Sequence, residues 1–151
     1  MNLQKRPSQL AVAVILVILA LRFLSLGAMP LVDPSESRYA VMAQIMDRSG
    51  NYLVPQLIDH NGEQTPFWGK PPLYFWLNAL SYRYFGWSEL TSRLPSYVAM
   101  VTASLAVFFT AWRCFGAVVA QNAVLLLICC GLFSVYGGLC QIDMVLTVFI
   151  T

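Results

Sequence analysis

Uninterrupted apolar blocks, each close to the length of a bilayer crossing, constrain this chain more than any other feature in it. They run from Leu10 to Ala28, from Tyr97 to Trp112 and from Val118 to Leu139, and a fourth starts at about Met144. A hydrocarbon core of roughly 30 Å takes about twenty apolar residues in a helix, and a water-soluble fold could not hide so much apolar surface. Of the 151 residues, 58% are hydrophobic and only 11% charged, with a mean hydropathy of +0.65. The chain therefore reads as an all-α membrane protein with three to four transmembrane helices. Residues 29–96 form an outer segment on this reading, and residues 144–151 are part of a fourth span.

The net charge of +2, without a Lys/Arg cluster or an aromatic-basic ladder, excludes nucleic acid as a partner. Cys114, Cys129, Cys130 and Cys140 lie in or beside the later apolar blocks without zinc-site or disulfide spacing, and read as small buried hydrophobes. Lys5 and Arg6 precede the first block as in a signal peptide, but the block ends in Met29-Pro30 without a small-residue cleavage motif. It reads as a retained span. The same two cations, with Arg113 between the second and third blocks, put the amino terminus in the cytoplasm. Arg38, Arg48, Lys70, Arg83 and Arg93 then lie outside, interspersed with acids over a stretch longer than that rule governs.

Within the outer segment, Ser37 to Arg48 is expected as a helix closed at Ser49-Gly50. A turn-rich stretch follows from Asn51 to Gly69, and Pro71-Pro72 opens a second helix, Leu73 to Phe85. The aromatic side chains of that helix suit the headgroup region, so it is expected to lie at the outer interface. Gly86 and Ser88 to Pro95 read as the passage into the second span. The third span returns the chain outside at Gln141-Ile142-Asp143, so Asp33, Glu36 and Asp143 converge on one membrane face, where charge is costly.

Each of these groups has a structural reading beside a functional one. Asp33-Pro34-Ser35-Glu36 has the form of an acidic capping box, yet either carboxylate could serve as general base or metal ligand, with Arg38 and Tyr39 one turn along the helix. Lys70, in Phe67-Trp68-Gly69-Lys70-Pro71-Pro72, is either a snorkelling cation in an aromatic belt or a phosphate-binding one at a helix amino end. Asp143 is either the cap of its span or part of the site. His60, between Asp59 and Asn61, reads as solvated surface, and Arg22 as a cation that snorkels or pairs within the bundle.

The runs Pro30 to Ala40, Gly50 to Pro55, Pro66 to Trp76 and Arg93-Leu94-Pro95 occur in an order that resembles the polytopic protein-mannosyltransferase and lipid A aminoarabinose-transferase superfamily. These are membrane glycosyltransferases of the GT-C type. The resemblance implies the amino-terminal part of a GT-C helix bundle whose outer loop bears interfacial helices. It implies transfer of a sugar from a polyprenyl-phosphate donor to a lipid, protein or glycan acceptor, at the periplasmic face of a bacterial inner membrane and among its lipids. Glu36, Arg38 and Tyr39 match the family's acidic motif and Arg-Tyr pair, Lys70 matches its Lys-Pro cation, and Asp143 matches an acidic position opening a later span. The family's Asp before the Glu is Ser35 here, so Asp33 either replaces it or only caps the helix. The Glu of its Glu-Lys-Pro motif is Gly69, which leaves a divalent metal an open question.

The chemistry expected of such a site is a single displacement with inversion. Lys70, with Arg38, holds the leaving phosphate, and Glu36 or Asp33 deprotonates the acceptor hydroxyl. Two other readings share parts of the pattern: a non-catalytic membrane remnant or carrier-lipid-binding partner, and a transporter segment, against which the lack of inverted repeats counts. The nine residues from Asp143 to Thr151 cover less than half of a roughly 30 Å core. On that ground the chain is expected to be truncated and inactive alone.

Overall fold

The computed structural model describes residues 8–59 and 62–151; Lys5, Arg6, His60 and Asn61 lie outside the described residues. Among the described residues, seven helices and one short hairpin follow one another: α1 (Gln9–Ser25), α2 (Pro34–Ser49), β1 (Gln56–Ile58), β2 (Gln64–Pro66), α3 (Leu73–Phe85), α4 (Glu89–Phe115), α5 (Ala117–Cys129), α6 (Gly131–Tyr136) and α7 (Asp143–Ile150). The strands pair antiparallel with Leu57 opposite Thr65, inside the stretch expected to be turn-rich. Among the described residues, α4 is the one helix both long and apolar enough to cross a membrane, while α1 and α5 are apolar but shorter.

Long-range hydrogen bonds orient the long helices. Near its start, α4 meets the end of α1, where Arg93 reaches the carbonyl of Leu26. Further along, the Tyr97 hydroxyl donates to the carbonyl of Leu19, so the two helices run antiparallel. The Ser8 amide donates to Gln121 at the start of α5, and Arg22 donates to the carbonyl of Val135 in α6 at 2.9 Å. Thus α1 runs parallel to α5 and α6. The end of α1, all of α2 and α3, the start of α4 and the turn between α6 and α7 therefore gather at one end of the bundle.

Two boundaries differ from the sequence expectation, each for a local reason. The second apolar helix starts at Glu89 rather than Tyr97, because Ser88 and Thr91 close a reciprocal capping box that nucleates it early. Pro95 then falls inside the helix and has no N–H to give the carbonyl of Thr91. That carbonyl is taken instead by the Ser81 hydroxyl of α3 at 2.8 Å, which binds the two helices together. The third block is broken at Cys130, whose backbone is extended (φ −65, ψ 117), so Val118 to Leu139 forms α5 and α6 rather than one continuous helix. The turn after α6 lies against other side chains: a Cβ on Gly137 would overlap Met100, and one on Gly138 would overlap the guanidinium of Arg22.

One core unites Ala40, Tyr74, Ala99, Met100, Cys140, Met144 and Val145 from α2, α3, α4, the turn after α6, and α7. A second joins Met42 and Met46 to Phe75 and Ala79, under Tyr39, Tyr52, Leu57 and Phe67. Outside these cores the long helices leave large apolar side chains uncovered, among them Leu24 of α1 (72% exposed), Phe109 of α4 (52%) and Leu126 of α5 (74%).

Candidate functional site

The helix that carries the first acidic motif is built as its sequence requires. Asp33 accepts from the backbone amides of Ser35 (2.7 Å) and Glu36 (3.3 Å) through one carboxylate oxygen. Pro34 occupies the first turn, and Gly50 closes the helix in the left-handed region (φ 67). Asp33 is thus the N-cap, exposed at the helix end. Glu36, three residues on, points into the protein and is 2% exposed.

Buried there, Glu36 is fully engaged. One carboxylate oxygen accepts from Arg93 Nε at 3.0 Å and from the backbone amide of Cys140 at 2.6 Å. The other accepts from Arg93 Nη2 at 3.0 Å. Arg93 donates its remaining N–H groups to the carbonyls of Leu26 (2.7 Å), Met29 (2.7 Å) and Pro30 (3.0 Å). All five guanidinium donors are satisfied, and they tie the link between α1 and α2 to the start of α4. Arg93 was legible in the sequence as one outer cation among several and as part of the Arg93-Leu94-Pro95 run, but not as the partner of Glu36. A charge set among the apolar and small residues at the start of a long helix was a signal that it must be paired.

The turn from α6 into α7 is held from three sides. Besides the Glu36 bond to Cys140 N–H, Asn78 of α3 gives its Nδ2 to the Cys140 sulfur at 3.5 Å, and Ser96 of α4 gives its hydroxyl proton to the carbonyl of Gln141 at 3.1 Å. The second Asn78 side-chain atom, Oδ1, is buried without a partner among the described residues. Burial pushes the Cys140 thiol up to about 12. Burial, with Cys140 nearby, likewise holds the Tyr74 phenol well above its usual range. Both groups therefore stay protonated at neutral pH.

Directly after this turn, Asp143 opens α7 and is exposed. It lines a cavity of about 170 Å³ together with Lys70, Tyr74, Leu73, Ile142, Val145, Leu146 and Phe149. The cavity therefore has a cation from the approach to α3, a carboxylate from the start of α7, and apolar walls that continue along α7 to Phe149. Tyr39 backs it, its ring edge-on to Tyr74 at 6.3 Å and to Phe75 at 5.7 Å.

Of the six residues expected at the site, the fold brings Lys70 and Asp143 together in one cavity with Tyr39 behind it. Glu36 is linked to the same turn from beneath. Asp33 caps its helix and Arg38 is exposed on α2, and neither lines this cavity. Asp143 is the one carboxylate in the cavity, and no group of three or more His, Cys, Asp and Glu side chains able to hold a metal occurs among the described residues.

Fold, motifs and relatives together place the chain in the GT-C glycosyltransferase superfamily, as a match to the N-terminal part of its members. Within it, the chain belongs to the dolichyl-phosphate-mannose-protein mannosyltransferase family, whose profile matches residues 69–151. It is 33% identical over 111 residues to the undecaprenyl phosphate-alpha-4-amino-4-deoxy-L-arabinose arabinosyl transferase of Shewanella sediminis, covering 74% of this chain and 19% of that one. The enzyme of the same name from an Enterobacter species is 26% identical over 96% of this chain and 26% of its own length. Among solved structures, ArnT from Cupriavidus metallidurans bound to undecaprenyl phosphate superposes with a TM-score of 0.79 at 31% identity, over 91% of this chain and 24% of that one. The chain thus spans about a fifth to a quarter of the length of these relatives.

Proposed function

We propose that this chain supplies the donor-lipid end of a transferase that moves a sugar from a polyprenyl-phosphate carrier to a lipid, protein or glycan acceptor. The reaction takes place on the extracytoplasmic face of a bacterial inner membrane. The observation that carries this reading is the composition of the cavity between α3 and α7: Lys70 and Asp143 stand where the two helices begin, and Val145, Leu146 and Phe149 continue the wall along α7. An amphiphile with an anionic head and a long apolar tail matches that arrangement. The named substrate of the relatives and the lipid in the ArnT complex belong to the same class.

In this proposal α1, α4, α5 with α6, and α7 are the membrane-embedded helices, and their uncovered leucine and phenylalanine side chains face lipid. Residues 29–96 lie outside. Lys70 neutralises the phosphate as it leaves the anomeric carbon, and Asp143 takes the proton of the acceptor hydroxyl that attacks that carbon from the opposite face. A single displacement of this kind inverts the anomeric centre and needs no covalent enzyme intermediate. Asp143 is assigned the base because Glu36 has both oxygens occupied and Asp33 is engaged at its helix end.

The test is binding of undecaprenyl phosphate to the purified chain in nanodiscs. Lys70→Ala should weaken it at least about ten-fold, and equal affinity in parent and variant would overturn the reading. A second reading, carrier-lipid binding without transfer, is favoured by the presence of a single carboxylate in the cavity. Tight binding with no release of a radiolabelled sugar to any of the three acceptor classes would select it.

A further inference from the structure

Two walls of the α3/α7 cavity come from different helices, and one buried side chain touches the supports of both. Ser96 of α4 has no exposure to solvent. Its hydroxyl lies 3.1 Å from the carbonyl of Gln141 and 3.2 Å from the phenol oxygen of Tyr74. A carbonyl can only accept, so Ser96 gives its single proton to Gln141, and the Tyr74 phenol must then donate to Ser96. The direction of both hydrogen bonds is settled by that count.

We infer that Ser96 is a positioning residue for the Lys70–Asp143 cavity, locking the Tyr74 wall of α3 and the turn that delivers Asp143 into one arrangement. Gln141 lies two residues before Asp143, so the bond to its carbonyl sets where α7 begins and therefore where the Asp143 carboxylate stands. Tyr74 is wholly buried, and its ring packs edge-on against both Tyr39 and Phe75. Its hydroxyl faces Ser96, with Cys140 and Asn78 beside it. A shift of the Gln141 turn away from α4 would break its bond to the same hydroxyl that holds the Tyr74 phenol. The two walls are thereby coupled, although no contact between Tyr74 and Asp143 is needed.

The alternative is that Ser96 merely fills space in the helix packing. The hydrogen-bond pattern separates the two. An alanine at position 96 would fit the same volume less one oxygen, yet it would take the donor from the Gln141 carbonyl and a partner from the buried Tyr74 phenol, both on elements that form the cavity. Ser104, also buried on α4, offers the contrast: its hydroxyl bonds back to the carbonyl of Met100 in its own helix and reaches no wall of the cavity.

This inference rests on the cavity being the carrier-lipid site, and the test keeps the two claims apart. Undecaprenyl phosphate binding would be measured for the full chain in nanodiscs, with Lys70→Ala, Ser96→Ala, Ser96→Thr, Ser104→Ala and Tyr74→Phe beside the parent. The expected result is a loss of about ten-fold for Ser96→Ala, recovery to within about two-fold for Ser96→Thr, and no change for Ser104→Ala. If Lys70→Ala weakens binding but Ser96→Ala does not, Ser96 is no positioning residue while the site stands. If Lys70→Ala binds like the parent, the site reading falls and takes the role of Ser96 with it. Should Ser96→Ala fail to fold, Tyr74→Phe keeps the ring and removes only the donor; a loss of about three-fold or more supports the coupling, and parent-like binding overturns it.

Discussion

Arg93 of α4 and Glu36 of α2 meet in a buried fork-to-fork pair, with Nε and Nη2 each 3.0 Å from opposite carboxylate oxygens. The side chains are 6% and 2% exposed. The pair joins the start of a long helix to the first turn of another, and through the Cys140 amide it reaches the turn before Asp143. Glu36, a candidate base when read along the chain, here has both carboxylate oxygens engaged by Arg93 and the Cys140 amide.

Removing one member of this pair should be far more damaging than removing an exposed charge. Arg93→Ala or Glu36→Ala leaves an unpaired buried ion, at a cost of about 3–5 kcal/mol. Replacing both with apolar residues should cost less than the sum of the single changes. Denaturant unfolding in detergent micelles measures both, and an additive double variant would argue against direct pairing.

The proline inside α4 makes a testable exchange of partners. Ser81→Ala should destabilise by about 1–3 kcal/mol, because the Thr91 carbonyl loses its donor. In a Pro95→Ala background the same change should cost less, since residue 95 then has an amide to offer that carbonyl. A double-mutant cycle on unfolding free energies reads the difference.

The glycines after α5 should differ sharply in tolerance. Gly137→Ala drives a Cβ into buried Met100, 2.9 Å from its Cβ, and should cost about 1–3 kcal/mol. A Cβ at Gly131, by contrast, would meet nothing, and Gly131→Ala should be neutral or stabilising by about 0.5 kcal/mol. Thermal unfolding of the two variants, side by side, checks the contrast.

Cys140 should resist alkylation near neutral pH. Its thiol is buried and titrates at about 12, against an ordinary 9.0, so almost no thiolate is present at pH 8. Because the folded value lies above the unfolded one, the thiol favours folding below pH 9 and loses that contribution as pH climbs toward 12. Maleimide labelling at pH 8 should modify Cys140 slowly in the folded chain and rapidly in denaturant. Equal rates would show that the site is open.

Much of the local structure was legible from the residues alone. Asp33, Pro34 and Gly50 bound α2 through caps that depend only on neighbours within a turn. Pro71-Pro72 and Gly86 likewise frame α3. The early start of α4 was less visible, since Pro95 looked like a boundary until Ser81 of α3 supplied the bond that a proline cannot make. The break at Cys130 is marked in the sequence by a single glycine, Gly131, which by itself does not end an apolar helix.

The site was only half legible. Lys70 and Asp143 could be named as candidates from charge, spacing and the return of the third span. Glu36 could be named too, but its expected work as a base could not be judged without knowing that Arg93, 57 residues away, and the Cys140 amide, 104 away, would occupy its oxygens. Sequence alone determined where helices begin, which stretches suit lipid and which side chains bear charge, because those properties depend on near neighbours and on solvent preference. Only the tertiary structure decided which carboxylate is buried in a pair and which opens onto a cavity, because desolvation and hydrogen-bond saturation depend on groups that the folded chain alone brings together.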